Sequence, residues 1–419
     1  MHLSRFPKSM PAMPLSPALV AAVAAALSLL LAAPPARAAS PTNDDCLGCH
    51  GDKTAAREKG SSVFVDAKVF GDSVHGGAGV SCVDCHAQLA TGDIPHEPKV
   101  APAQCASCHE GPVKEYAAST HGTLHTKQPG RKIATCAACH GMHDIRPVKD
   151  PLAPVSQFNV PKLCVSCHGD PKIVPPQKKG ENEPSHFGDS IHGKALVKAG
   201  LSVAPSCVTC HGAHAVLPAS DPASRVSREK VPALCGSCHK GIGPVFEASV
   251  HGEALKKGNP KAPVCVDCHS SHEITRTDVS GWQVDVIKEC GHCHTEEMRT
   301  YRDTYHGQIT NLGFSRVATC AACHGSHDIL APSDVRSMVS RTRVVETCQK
   351  CHPRASASFA RYDPHADATN RKKYPVVYWT STLMKLLLTG VFAFFGVHTL
   401  LWLPRSFKAR RDHKKHREV

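Results

Sequence analysis

All 22 cysteines of this chain fall into eleven Cys-x-x-Cys-His motifs. The motifs open at Cys46, Cys82, Cys105, Cys136, Cys164, Cys207, Cys235, Cys265, Cys290, Cys320 and Cys348. Their second cysteines are Cys49, Cys85, Cys108, Cys139, Cys167, Cys210, Cys238, Cys268, Cys293, Cys323 and Cys351. The histidines that follow are His50, His86, His109, His140, His168, His211, His239, His269, His294, His324 and His352. This is the attachment signature of a c-type haem: two thiols form thioethers to the porphyrin, and the histidine reaches the iron as proximal ligand. Structural disulfides require neither the two-residue gap nor the histidine. Zinc ribbons pair two Cys-x-x-Cys elements per metal and need no histidine after each one. Eleven covalent haems are expected, with no cysteine left over.

The motifs recur about every 30 residues within a larger repeat. A first motif is followed by a small-x-His-Gly segment, and then by a second motif that continues x-x-His. The segments hold His75, His121, His192, His251 and His306, and the continuations hold His143, His214, His272 and His327. The first unit departs, running on from His86 to His96. Five two-haem units are read, starting at Cys46, Cys105, Cys164, Cys235 and Cys290, with a single haem at Cys348.

The sixth coordination site of each iron separates electron transfer from catalysis. The ten patterned histidines are the candidate distal ligands. The eleventh is His365 in YDPHAD, with His186 and His125 as runners-up. His143 lies three residues past His140, about one helical turn if that stretch is helical. It therefore stays on the proximal side of its own haem and should ligate a neighbouring one, as should the other HxxH histidines. The supply allows every iron two histidines.

Aromatic residues are only 5% of the chain. Porphyrins are therefore expected to fill the core. The expected fold is mainly α with extensive loops: short helices around the motifs, a haem-filled core and one C-terminal transmembrane helix.

The ends carry the remaining signals. Residues 1–38 read as a signal peptide, with Arg5 and Lys8, an apolar run from Leu19 to Ala32, and an Ala36-Arg37-Ala38 cleavage site. Residues 39–370 form the haem domain, 371–404 a membrane anchor and 405–419 a basic tail. Leu383 to Leu403 is long enough for one crossing of about 30 Å, flanked by Tyr378, Trp379 and Trp402. The basic tail predicts a cytoplasmic C-terminus and a periplasmic haem domain. His398 lies about 10 Å from the middle of that span, a depth at which polar side chains usually have partners. It is a candidate contact for a b-type haem or a quinone.

The net charge of +13 does not indicate nucleic acid. Nearly all of it lies in 1–38 and 371–419, leaving 39–370 at about +1 before haems add about −1 each. Partners with basic docking faces are expected instead.

Residues from about 46 to 365 resemble multihaem c-type cytochromes, on LGCH, VDCH, ASCH, AACH, VSCH, VTCH, GSCH, GHCH and QKCH as they stand. The tail TLMKLLLTGVFAFFGVHTLLWLPRS resembles membrane segments of multihaem subunits that work beside a b-type cytochrome. The resemblance implies export, because haem is attached outside the bacterial cytoplasmic membrane. It implies electron transfer between a membrane quinone or b-type cytochrome partner and periplasmic redox partners. The competing expectations are an oxidoreductase acting on nitrogen or sulfur oxyanions, and an extracellular conduit. Ammonia-forming nitrite reductases usually carry Cys-x-x-Cys-Lys at the catalytic haem, which is absent here.

Overall fold

The computed structural model describes residues 17–18, 40–57, 60–128, 130–175 and 184–415. The expected signal segment lies outside the described residues apart from 17–18, as do the last four residues of the tail. Among the described residues there are helices, turns and loops but no strand; a single antiparallel bridge joins Ala56 and Ser62.

The motifs shape the chain locally. Five second motifs are one-turn helices: Cys82–Cys85, Cys136–His140, Cys207–His211, Cys265–His269 and Cys320–His324. Four first motifs begin within helices that run up to them: Asn43–His50, Val160–His168, Val231–Gly236 and Ser280–Cys293. In a helix, positions i, i+3 and i+4 share a face. Both thiols and the imidazole of a motif are thereby offered on one side, where one porphyrin can take all three.

Each His-Gly segment is built on an aromatic residue five positions before its histidine: Phe70, Tyr116, Phe187, Phe246 or Tyr301. The hydroxyls of Ser73, Ser119, Ser190, Ser249 and Thr304 cap the next helix by accepting from the amide of the glycine three residues on. Four of them also donate to the aromatic residue's carbonyl at 2.7 Å. The chain folds back so closely that a Cβ on Gly252 would sit 2.2 Å from the Phe246 carbonyl oxygen, and one on Gly122 2.1 Å from that of Tyr116. Only glycine fits there.

The segments then dock by a repeated backbone bond. The amides of Val74, Thr120, Ile191 and Val250 donate to the carbonyls of Ile145, Val216, Ile274 and Ile329. Each acceptor lies two residues past an HxxH histidine, so the bond ties a His-Gly segment to the HxxH stretch of a later motif. Runs of turns link second motifs to the next first motif. At Asp150–Ser156, Asp221–Ser227 and Asp334–Ser340, amides donate to carbonyls three residues back, and Ser156, Ser224 and Ser337 are buried.

The chain divides into two units, Met1–Lys114 with His140–Pro147, and Glu115–Cys139 with Val148–Val419. Buried apolar side chains among the described residues are scattered and mostly small, with Leu196, Val264, Ile287 and Tyr301 among the larger ones. Apolar residues beside the motifs, such as Met142 and Val203, are exposed in the polypeptide alone. Among the described residues there is no conventional packed core, and large apolar plates held by the motifs would supply one.

One long apolar helix, Pro375–Lys415, is a candidate membrane span. It starts before the expected Leu383 because Pro375 suits a first helical position. It also runs through Pro404, where the helix-favouring Lys, Arg and Ala that follow carry it on. Its length is about 60 Å at 1.5 Å per residue, twice what a bilayer core needs.

Ser270 has φ 61°, where Gly141, Gly212 and Gly325 stand at the equivalent place after the proximal histidine with φ 86°, 84° and 85°. A non-glycine residue there costs about 1–2 kcal/mol, and the Ser270 hydroxyl is buried without a partner. Ser270→Gly should therefore stabilise the holoprotein by about 1 kcal/mol, measured by denaturant unfolding. Gly252→Ala should destabilise it by more than about 3 kcal/mol or prevent haem loading.

Candidate haem-binding site

The thiols come together in series. Within two-haem units the first cysteines of the two motifs are in hydrogen-bonding contact: Cys46 with Cys82, Cys164 with Cys207, Cys235 with Cys265, and Cys290 with Cys320. Successive units approach through the second motif's other cysteine. Cys85 lies beside Cys108, Cys139 beside Cys164, Cys210 beside Cys235, Cys268 beside Cys290, and Cys323 beside Cys348. The motifs thus follow one another in space in sequence order, from Cys46 to Cys108 in the first unit and from Cys139 to Cys351 in the second. Burial, with Cys46 alongside, pushes the Cys82 thiol up to about 11. Burial does the same for Cys268. In the bare chain these thiols stay protonated.

Ten proximal histidines face ten of the candidate distal ones. In the first unit the pairs are His50 with His96, His109 with His75, and His86 with His143. In the second they are His168 with His121, His239 with His192, His211 with His272, His294 with His251, His269 with His327, His352 with His306, and His324 with His365. Of the remaining two, His140 belongs to the first unit and His214 to the second, where its Nδ1 lies 3.5 Å from the Glu115 carboxylate.

The spacing is what a shared metal demands. Two metal–imidazole bonds of about 2 Å, plus about 1.1 Å from each nitrogen to its ring centre, set axial imidazoles about 6 Å apart. The ten separations run from 5.8 to 6.4 Å. Over the same pairs the interplanar angle varies from 5° to 64°. Direct stacking would couple distance to angle. A metal on a common axis fixes the distance and leaves the rings free to rotate. No cluster of three or more His, Cys, Asp or Glu among the described residues could hold a metal ion by itself. The donor set therefore fits a metal that brings its own equatorial ligands, as haem does.

Two effects prepare the imidazoles. Burial pushes the pKa values of His86, His121, His143, His168, His192, His211, His251, His269, His306 and His324 down, and a ligand must be neutral. Hydrogen bonds set the tautomer. His50 Nδ1 donates to the Val63 carbonyl at 2.9 Å and His96 Nδ1 to the Glu97 carbonyl at 2.8 Å. A carbonyl can only accept, so both Nε2 atoms keep their lone pairs for the metal.

The pairs also show an exchange rule. Every His-Gly histidine meets the first motif of the following unit. His143, His272 and His327 each meet the second motif of the preceding unit. The runners-up lie elsewhere: His186 Nδ1 contacts the Glu273 carboxylate, and His125 sits on the helix Thr120–Lys127. His292 is exposed and lies 3.1 Å from Glu289. His398 is on the exposed surface of the long helix.

Sequence reasoning missed three participants. The aromatic five residues before each His-Gly histidine is legible once aligned, because five of the chain's few aromatics recur at that offset. The hydroxyls of Tyr116 and Tyr301 donate to the carbonyls of Ala134 and Ala318, each two residues before a second motif. Trp282 stacks on His269 at 5.3 Å and 12°, a contact with no sequence signal.

A cytochrome c3 family model matches residues 74–169, and a model of the doubled CXXCH motif matches residues 201–243.

The exchange rule can be checked. His143→Ala should make one haem high-spin in electron paramagnetic resonance, and that haem should be the one at Cys82, not the one at Cys136 beside it in sequence. Adding Cys82→Ser and Cys85→Ser, which remove the Cys82 haem, should abolish the new signal. Its persistence in the triple variant would refute the pairing.

Proposed function

We propose that this multihaem c-type cytochrome is a membrane-anchored electron carrier of the bacterial inner membrane. It passes electrons between a membrane quinone or b-type cytochrome partner and redox partners in the periplasm. The reading rests above all on the ten facing imidazole pairs, which would leave a haem at each of those motifs no open position for substrate. Haem, when bound, supplies a one-electron ferric–ferrous couple. The polypeptide does the rest. Cysteines and proximal histidines fix each site to a helix. Distal histidines, most from a neighbouring repeat, His96 from its own and His365 from beyond the repeats, would close it to substrate and hold it against rearrangement. The cysteine series brings consecutive sites side by side within each unit.

The same observation disfavours an oxyanion-converting enzyme, which needs an open axial position. The long apolar helix supports a membrane anchor. The basic residues at its C-terminal end, Arg405, Lys408, Arg410, Arg411, Lys414 and Lys415, support a cytoplasmic end and a periplasmic haem domain. A single helix cannot enclose a quinone, so a partner subunit would supply that site. His398, exposed on the helix within the apolar stretch, would meet the partner there and contact its b-type haem or quinone.

The mature protein should carry eleven haems by mass spectrometry of denatured material. In the native protein carbon monoxide should leave the reduced absorption spectrum unchanged. A carbon monoxide adduct in undamaged protein would reveal an open site and overturn the carrier reading.

A further inference from the structure

Of all the distal histidines, only His365 lies outside the motif repeats, in the stretch that runs into the membrane helix. Its ring is 6.2 Å from that of His324, which follows Cys320-x-x-Cys323. Its Nδ1 lies 3.1 Å from the Thr300 hydroxyl. That hydroxyl donates to the carbonyls of Glu296 and Glu297, both at 3.1 Å. With its single proton shared between these carbonyls, it can accept from His365 Nδ1, a tautomer that leaves Nε2 to face His324. Thr300 is 4% exposed, so the arrangement is shielded from water.

The same stretch is strapped at both ends. Arg299, next to Thr300 on the helix Thr295–Asp303, makes a two-pronged ion pair with Asp367 at 3.2 and 2.5 Å. Asp363 accepts from the His365 amide through one oxygen, at 2.9 Å, and from the Tyr374 hydroxyl through the other, at 2.8 Å. Tyr374 immediately precedes the membrane helix, and Arg371 stands 5.0 Å over the ring of Trp379 in its second turn. One carboxylate thus joins the His365 turn to the top of the anchor.

Resting on the membrane-carrier reading, we infer that the site at Cys320, completed by His365, is the membrane-side port of the electron path. The sequence-last site, at Cys348, takes its facing imidazole from His306, within the repeat, and has no ligand from the membrane-proximal stretch. Asp363, Tyr374, Arg299 and Asp367 are positioning residues that hold His365 at a set height above the anchor. The donor at this port is a membrane hydroquinone, reached through the partner. It gives up two electrons and two protons. The port takes the electrons one at a time and passes each along the series, while the protons go to water.

The test uses the full-length protein with its partner in membrane vesicles. His365→Ala should give one high-spin haem of the eleven in electron paramagnetic resonance. It should also slow hydroquinone-driven reduction at least tenfold, while dithionite still reduces every haem. Tyr374→Phe combined with Asp367→Asn leaves His365 in place. It should keep all haems low-spin, shift the midpoint potential of one haem, and slow hydroquinone-driven reduction severalfold. Restoring Asp367 alone should recover part of the rate. A wild-type rate in His365→Ala would overturn the port while leaving the membrane reading intact. Absence of a high-spin signal would overturn the ligand assignment, and this readout is independent of any quinone. Failure of hydroquinone to reduce the wild-type protein would overturn the membrane reading, and the port with it. A wild-type rate and potential in the Tyr374 and Asp367 variant would remove those residues from the positioning role.

Discussion

The structure depends on the pairing of two imidazoles from distant parts of the chain about 6 Å apart. A fold with few buried apolar side chains cannot be held by ordinary packing. Here each pair fixes the position of a short helix against a later or earlier one. The chain contributes the preconditions: helical motifs that put two thiols and an imidazole on one face, and segments that deliver a second, neutral imidazole opposite. Buried serines and close-approach glycines satisfy backbone groups that a conventional core would otherwise strand.

The exchange of ligands between units has a mechanical consequence. A His-Gly segment reaches forward to the next first motif, and an HxxH histidine reaches back to the previous second motif. The repeats carrying His121 with His143, and His251 with His272, are thereby linked both forward and back. The backbone bonds from Val74, Thr120, Ile191 and Val250 run along the same exchange. Such a repeat resembles a solenoid in being built of nearest-neighbour links, but its links are facing imidazole pairs. The device that assembles the structure also brings successive sites close enough to form an electron path within each unit.

The departures from the repeat mark individual sites. Ser270 replaces glycine at a left-handed position, and Trp282 lies against the neighbouring His269. Both fall on the motif at Cys265, so its surroundings differ from those of its counterparts. The apolar indole shields that site from water, one of the means by which a protein tunes a redox potential. His365, from outside the repeats, faces His324 where a repeat histidine would be expected, and its turn is joined through Asp363 to Tyr374 at the start of the long apolar helix.

The sequence alone determined the chemistry. The motifs are contiguous, so spacing within five residues states where thioethers and proximal ligands stand. The distal candidates were legible because they recur, and the long apolar run was legible from composition. His143, His272 and His327 do face neighbouring motifs, but not through the helical turn that suggested it: the motif helices end at His140, His269 and His324, and the next residue in each case is left-handed. What remained open was pairing, because eleven histidines can face eleven sites in many ways and nothing local chooses between them. Tertiary structure decided that the His-Gly histidines go forward and that His143, His272 and His327 go back. It decided that His365, rather than His125 or His186, faces His324. The choice rests on the buried Thr300 hydroxyl and on the Arg299–Asp367 pair, 68 residues apart in sequence, and contacts of that range leave no trace in a local pattern.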